Sequence, residues 1–158
     1  MMRFIHWGFI TAITLAMAAC AGVPEFKTQG VDLSIQPANS LGKQGQQVIW
    51  GGSIIDIRNL TDKTRIEVLA YPLDSDFRPI KDKPTQGRFI VEKSGYLEPK
   101  DYRPGKFITA VGVLAKPQTG KIGEAIYHYP VVQASRVELW KPRSESNFQF
   151  GIGIGIHN

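Results

Sequence analysis

The residue with the most definite chemistry is Cys20, the single cysteine of the chain. It follows Met17-Ala18-Ala19 at the end of a run, Phe4 to Ala19, that is apolar apart from His6 and two threonines and is preceded by Arg3. A basic residue, an apolar stretch and small residues before a cleavage point have the layout of a secretory signal. An apolar residue and two small ones before a cysteine match the bacterial lipobox, with Met17 where leucine is commoner. In that chemistry the Cys20 thiol takes a thioether-linked diacylglycerol, cleavage frees its amine, and the amine takes a further acyl chain. One acyl chain holds a protein only marginally in a bilayer, whereas two or three hold it stably. The run is about 16 residues, short of the roughly 20 that a spanning helix needs, so an uncleaved anchor helix is the weaker reading. Lipidation of Cys20 leaves no free thiol in an oxidising periplasm. Ala21 follows, not the aspartate that retains enterobacterial lipoproteins at the inner membrane, so the outer membrane is the expected address.

Other residue types offer less. His128 lies between Tyr127 and Tyr129 and His157 sits near the end, with no second histidine or cysteine at ligand spacing. No metal site and no cofactor are expected. Asp74 and Asp76 are two apart without the rest of a calcium loop, and read as turn residues. Ser53 has no nucleophile-elbow motif around it. Glu67 reads as a surface carboxylate, with Arg65 as a candidate partner. Catalysis is therefore not expected. An enzyme acting on an envelope substrate is the second alternative, resting on Glu67, Asp74, Asp76, Arg88 and Arg103. Two polar stretches, 74–87 and 94–105, carry a mixture of aromatic and basic residues that suits a protein or an anionic polymer. Phe77, Arg78, Arg88, Tyr96, Tyr102 and Arg103 are the candidate partner-binding residues. The competing reading is turn chemistry, with Pro79, Pro99 and Pro104 stiffening the loops and the tyrosines capping a core.

The elements that must position these residues follow from pattern. The 158 residues carry 19 Lys+Arg against 14 Asp+Glu, 42% apolar side chains, 16 glycines and 10 prolines. One domain with a proper core is expected, and a wholly disordered chain, a disulfide scaffold and a polytopic membrane protein are excluded. Without residues 1–19 the chain has 18 basic and 14 acidic residues, a net +4. That excess could favour anionic headgroups, although a solvated mixed surface is the simpler reading. Residues 1–19 read as signal peptide and 20–46 as a lipidated N-terminus and tether, with a short ordered turn near 31–35. A flexible tether of 26 residues would span roughly 25–30 Å. Residues 47–141 read as an all-β domain. Strands are expected at 47–58, 64–73, 87–92 and 106–115, with a hairpin turn at 117–120. Strands at 121–129 and 131–141 follow, or one long strand broken at Pro130. Gly51-Gly52 inside the first strand suggests a bulge or bend that lets one strand serve both sides of a barrel. A small five- to six-stranded OB-like barrel is the expected fold. Trp50, Phe89 and Phe107 with Arg88 and Lys106 could imitate a nucleic-acid surface. An envelope location argues against that, so no nucleic acid is expected. In the tail, 142–158, large apolar residues alternate with glycine or polar ones from Phe148 to Ile156. Such a strand needs a partner, and a homo-oligomeric ring through residues 148–156 touching the membrane is the first alternative.

The segments VIWGGSI (48–54), EVLAYPLDSDFRP (67–79), GRF (87–89), SGYLEPKDYRPGKFITAVG (94–112) and VELW (137–140), with the lipobox, resemble the Slp family. These are outer-membrane lipoproteins associated with starvation and stationary phase in Gram-negative bacteria. The resemblance covers most of 47–141 and implies a periplasm-facing, lipid-anchored protein with a structural or binding role under stress. Its partner would be an envelope protein or polymer. The Gly/Ile tail departs from relatives that end in aromatic, proline-rich extensions.

Overall fold

The computed structural model describes residues 25–34 and 36–143. Cys20 and the tail strand 148–156 lie outside them.

Five strands form the body: β1 (Gln47–Asn59), β2 (Lys63–Tyr71), β3 (Arg88–Ser94), β4 (Phe107–Ile122) and β5 (Ala125–Trp140). They close in the order β1-β2-β3-β5-β4, all neighbours antiparallel except the parallel pair β3–β5. That is the Greek-key closure of an OB-like barrel, as the strand count and the long first strand led one to expect. β2 shows why these residues form a barrel wall. In KTRIEVLAY every second side chain, Thr64, Ile66, Val68 and Ala70, is buried, and the residues between them lie on the outer face. With Val48, Trp50, Ile54, Phe89, Val91, Ile108, Leu114 and Val132 they fill the interior. Phe89 meets the Trp50 ring edge-on at 5.3 Å, a favoured aromatic geometry.

β1 does serve both sides: Gly51, Gly52 and Ser53 pair with β2 and β4 at once. Closure at that point requires glycine, because a Cβ on Gly52 would stand 1.9 Å from the Leu69 carbonyl oxygen. The register shift in β1, however, falls between Ile54 and Asp56 rather than at the glycine pair.

The expected hairpin turn at 117–120 is displaced. β4 runs on to Ile122 and the two-residue turn is Gly123-Glu124, with Gly123 at φ +60°, the conformation a two-residue hairpin demands of its first residue. Lys116 and Pro117 on β4 oppose Pro130 on β5 across a register shift between Ala115 and Gln118. Two prolines without N–H groups are tolerated there because a bulge needs no ladder donor. Pro130 therefore does not break β5, and β4 and β5 extend past the barrel as a two-stranded arm.

Of the segment expected as a tether, Phe26, Val31, Pro37 and Ser40 pack on the body, while most of the described residues between them are exposed. Val31 bridges Gln47, Asp32 accepts the Ser34 amide at 2.9 Å, and Pro37–Asn39 form a 3₁₀ turn with Pro37 buried. In the 94–105 loop, Glu98 O accepts the amides of Asp101 and Tyr102, both at 3.0 Å, closing a single turn.

Candidate functional site

Two outer faces of the barrel are covered by the chain itself, in different ways. On β1, β4 and β5 the outward residues Ile49, Phe107, Val111 and Trp140 are apolar and receive Phe26, Val31, Leu73 and Phe77. Phe26 is the centre of this latch. Its ring lies 5.2 Å from Phe77 and 6.4 Å from Trp140, with the Arg136 guanidinium 4.9 Å above it. Arg136 also donates to the Glu25 carbonyl and, at 3.0 Å, to Glu138. The Trp140 indole N–H donates to Thr109 Oγ1 at 2.9 Å, and that hydroxyl donates to the Phe77 carbonyl at 2.6 Å. Phe77 is the only non-glycine among the described residues with a positive φ, +61°. Such a conformation costs about 1–3 kcal/mol and persists only where surroundings over-determine it. Here they do: Asp74 Oδ1 accepts the Asp76 and Arg78 amides at 3.0 and 2.9 Å, and Thr109 holds the Phe77 carbonyl. Arg78 lies 5.1 Å above the Trp140 ring and donates to the Lys141 carbonyl. Arg143 reaches Asp74 Oδ2 at 3.1 Å. The chain thus enters at Glu25 and leaves at Arg143 on the same latch.

Beside the latch is an open cleft of about 440 Å³, lined by Lys100, Asp101, Arg103, Lys106, Leu139, Trp140, Lys141 and Pro142. Four cations surround one acid. None of the four side chains has an ion pair or hydrogen bond among the described residues. Lys100, Arg103 and Lys141 are exposed and Lys106 is half-buried. Unmatched positive charge over an indole and a leucine suits an anionic group carried on an apolar body.

The second covered face is that of β2 and β3, over which the arm curls. Tyr127 and Tyr129 pack edge-on at 4.7 Å, and with Val131 they cover the outward Ile90. The Tyr127 hydroxyl accepts the Arg88 amide at 2.9 Å. Glu67 accepts from Arg88 at 2.9 Å and from the Tyr129 hydroxyl at 3.2 Å. Arg65, the partner suggested for Glu67 by sequence, instead donates to Gln118. Lys63 binds Glu92 at 2.8 Å, and Gln118 donates to Glu92 at 3.2 Å. Burial alone would raise the Glu92 carboxyl, but hydrogen bonds from Lys63 and Gln118 and the charges of Lys63 and Arg65 hold it below the usual range. Burial first, then the Glu67 charge, pushes the Tyr129 phenol up against an opposing effect of Arg88.

The structure therefore divides the six candidate residues. Phe77 and Arg78 belong to the latch, and Arg103 lines the cleft that shares Trp140 with it. Tyr102 packs half-buried against the barrel core, where burial and then the charges of Glu138 and Asp101 push its phenol up. Arg88 is engaged under the arm. Tyr96 is 66% exposed and donates to Glu98 at 3.3 Å. Of the alternative enzyme set, Glu67 meets Arg88, while Asp74 is committed to the loop turn and Arg143. Phe26, Lys100, Trp140 and Lys141 are not singled out as site residues by sequence, and Lys106 enters there only beside Trp50, Phe89, Phe107 and Arg88. The available signals were an aromatic in a polar linker and cations recurring at 100, 103 and 106.

The model of the outer membrane lipoprotein Slp family matches residues 17–152, a span that includes the cysteine and its preceding residues. The chain is 36% identical over 96 residues to the uncharacterized lipoprotein YeaY of Escherichia coli, covering 61% of this chain and 49% of that protein. It is 33% identical to an uncharacterized protein of Haemophilus influenzae, covering 84% and 74%. It is 28% identical to the outer membrane protein Slp of Escherichia coli, covering 96% and 83%. The match spans about half the length of the first of these relatives. Among solved structures, a small single-stranded DNA-binding protein from Streptomyces coelicolor gives a TM-score of 0.38 at 13% identity, covering 60% of this chain and 94% of that one. Schizosaccharomyces pombe Pot1pC bound to ssDNA gives 0.32 at 12%, covering 73% and 89%. At these scores neither likeness carries an argument about ligand. The chain belongs to the outer membrane lipoprotein Slp family, lipoproteins of the Gram-negative outer membrane.

Proposed function

We propose that this lipoprotein is a non-catalytic binding module, held at the outer membrane through acylated Cys20, that engages an anionic partner in the envelope during starvation or stationary-phase stress. The observation that carries the reading is the cleft of unmatched cations at Trp140, next to the point where the segment leading back to Cys20 is latched. A periplasm-facing module of this kind needs a stable body and one open surface. The chain's own segments cover the outward apolar residues Ile49, Phe107, Val111 and Trp140 on one face and Ile90 on another, which supports assigning binding to the cleft. The β2–β3 face that OB barrels offer to nucleic acid is here occupied by the arm and by matched charges, which supports a partner other than nucleic acid. The ring alternative rests on residues 148–156, outside the described ones.

Two measurements test it. Metabolic labelling with an alkyne fatty acid should mark the wild-type chain and not Cys20→Ser, which should leave the outer-membrane fraction. A photoreactive residue placed at Lys100 should give adducts in stationary-phase cells, while one at Lys121 on the arm should not. Equal adducts at both positions, or none at Lys100, would sink the binding assignment.

A further inference from the structure

We propose that the cleft of Lys100, Arg103, Lys106 and Lys141 seats the phosphate of an anionic phospholipid headgroup in the same membrane that holds the anchor, so that the barrel lies against the bilayer on its latch face. The inference deepens the binding reading and rests on Cys20 being the lipidated residue.

The first argument is reach. Arg136 holds the Glu25 carbonyl, and the Phe26 ring is 6.4 Å from Trp140, which is a wall of the cleft. Cys20 is five residues before Glu25, a separation of at most roughly 18 Å even when fully extended. A tether of 26 free residues would have let the body drift; latching at Phe26 shortens it to a few. The cleft is therefore carried on the side of the barrel from which the anchor departs.

The second argument is charge. None of the cleft's four cations makes an ion pair among the described residues, and its lining holds one acid, Asp101, whereas Arg88 and Lys63 beneath the arm are matched to Glu67 and Glu92. Cations near an anionic leaflet each gain a factor of about five in partitioning. The third is the character of the floor. Leu139, Pro142 and the edge of the largely buried Trp140 give an apolar floor beneath the charges. A phosphate on a glycerol-lipid body satisfies both layers of the cleft; a bare inorganic ion satisfies only the upper one.

The test uses the full acylated chain reconstituted into vesicles of phosphatidylcholine alone, or of phosphatidylcholine with phosphatidylglycerol. A lysine-acylating reagent followed by mass spectrometry reads Lys100, Lys106 and Lys141 against Lys116 and Lys121 on the arm. On the anionic vesicles the three cleft lysines should be labelled at least about fivefold more slowly, the factor expected for a single charge near an anionic surface, with the arm lysines unchanged. The protection should vanish at about 1 M salt, where the screening length falls to roughly 3 Å. It should also vanish at Lys141 in the variant R103E/K106E, which should still float with both vesicle types. Equal labelling of the cleft on both compositions overturns the proposal, whether the cleft is open or covered by the chain's own tail. So does equal protection on phosphatidylcholine vesicles given inorganic phosphate, which would make the ligand a free anion. Failure of the anchor reading looks different: wild type and Cys20→Ser would then float alike, or neither would float.

Discussion

The latch and the arm do the same mechanical job on opposite sides of one barrel, with opposite chemistry. Both cover outward apolar residues that a closed sheet would leave bare. Beneath the arm, Glu67 meets Arg88 and Tyr129, and Glu92 meets Lys63 and Gln118. At the latch, the aromatic rings of Phe26, Phe77 and Trp140 carry the packing, and Arg78 and Arg136 lie over rings. Cations in the adjoining cleft are left over. The charges paired beneath the arm, matched within the chain, make no electrostatic demand for a partner. A face with surplus charge beside good packing retains one. The comparison separates residues that hold the fold from residues free to act.

The largest blow to that comparison would come from Trp140→Ala. The side chain is 9% exposed and donates a buried hydrogen bond, so urea unfolding should show a loss of about 3–5 kcal/mol. A loss below about 1 kcal/mol would mean that the latch contributes little and the two faces are not equivalent supports. Phe26→Ala should cost somewhat less, about 2–4 kcal/mol, because the 25–31 segment can peel away without opening the barrel. Limited proteolysis should then cut within that segment and spare the arm. Tyr129→Phe removes the hydroxyl and its bond to Glu67, and a loss of about 1 kcal/mol is expected.

Acidity should act on the arm. Glu92 is held below its unfolded value, so its contribution is complete above the ordinary glutamate range and is lost as pH falls through the folded value. Tyr129 is shifted up, so its contribution is complete below the ordinary tyrosine range and is lost as pH climbs through the folded value. Hydrogen exchange should therefore rise in 118–129 at both extremes before it rises at Phe26. Smallest of all, Lys100→Glu with Arg103→Glu should change unfolding free energy by less than about 0.5 kcal/mol. A larger loss would show that these cations are part of the fold, and the contrast between the faces would fail.

The barrel was legible because its signals are local. The alternation in KTRIEVLAY names the buried face of β2 without reference to anything else, and the glycine pair marks where β1 must pass close to two neighbours. The arm was misjudged because Pro117 and Gly120 look like a turn in isolation. Only the pairing of Gln118 with Tyr129 shows that the prolines sit in a bulge. The site was legible in part. Phe77, Arg78 and Arg103 do gather round Trp140, but Arg88 and Tyr96 do not join them. Trp140 and Lys141 come to the cleft at the end of β5, and Phe26 comes from the far end of the chain. Such meetings depend on barrel closure, which no window of neighbouring residues encodes.

The parallel pairing of β3 with β5 has a consequence in time. Ile90 has no barrel partner on that side until Val131 has arrived, and Arg136 grips the Glu25 carbonyl across 111 positions. The last strand therefore completes both the wall and the fastening of the first segment. Contacts so distant in sequence form late and slowly. Until β5 pairs with β3 and β4 the sheet stays open, and the strand that closes it also carries Arg136 to the Glu25 carbonyl.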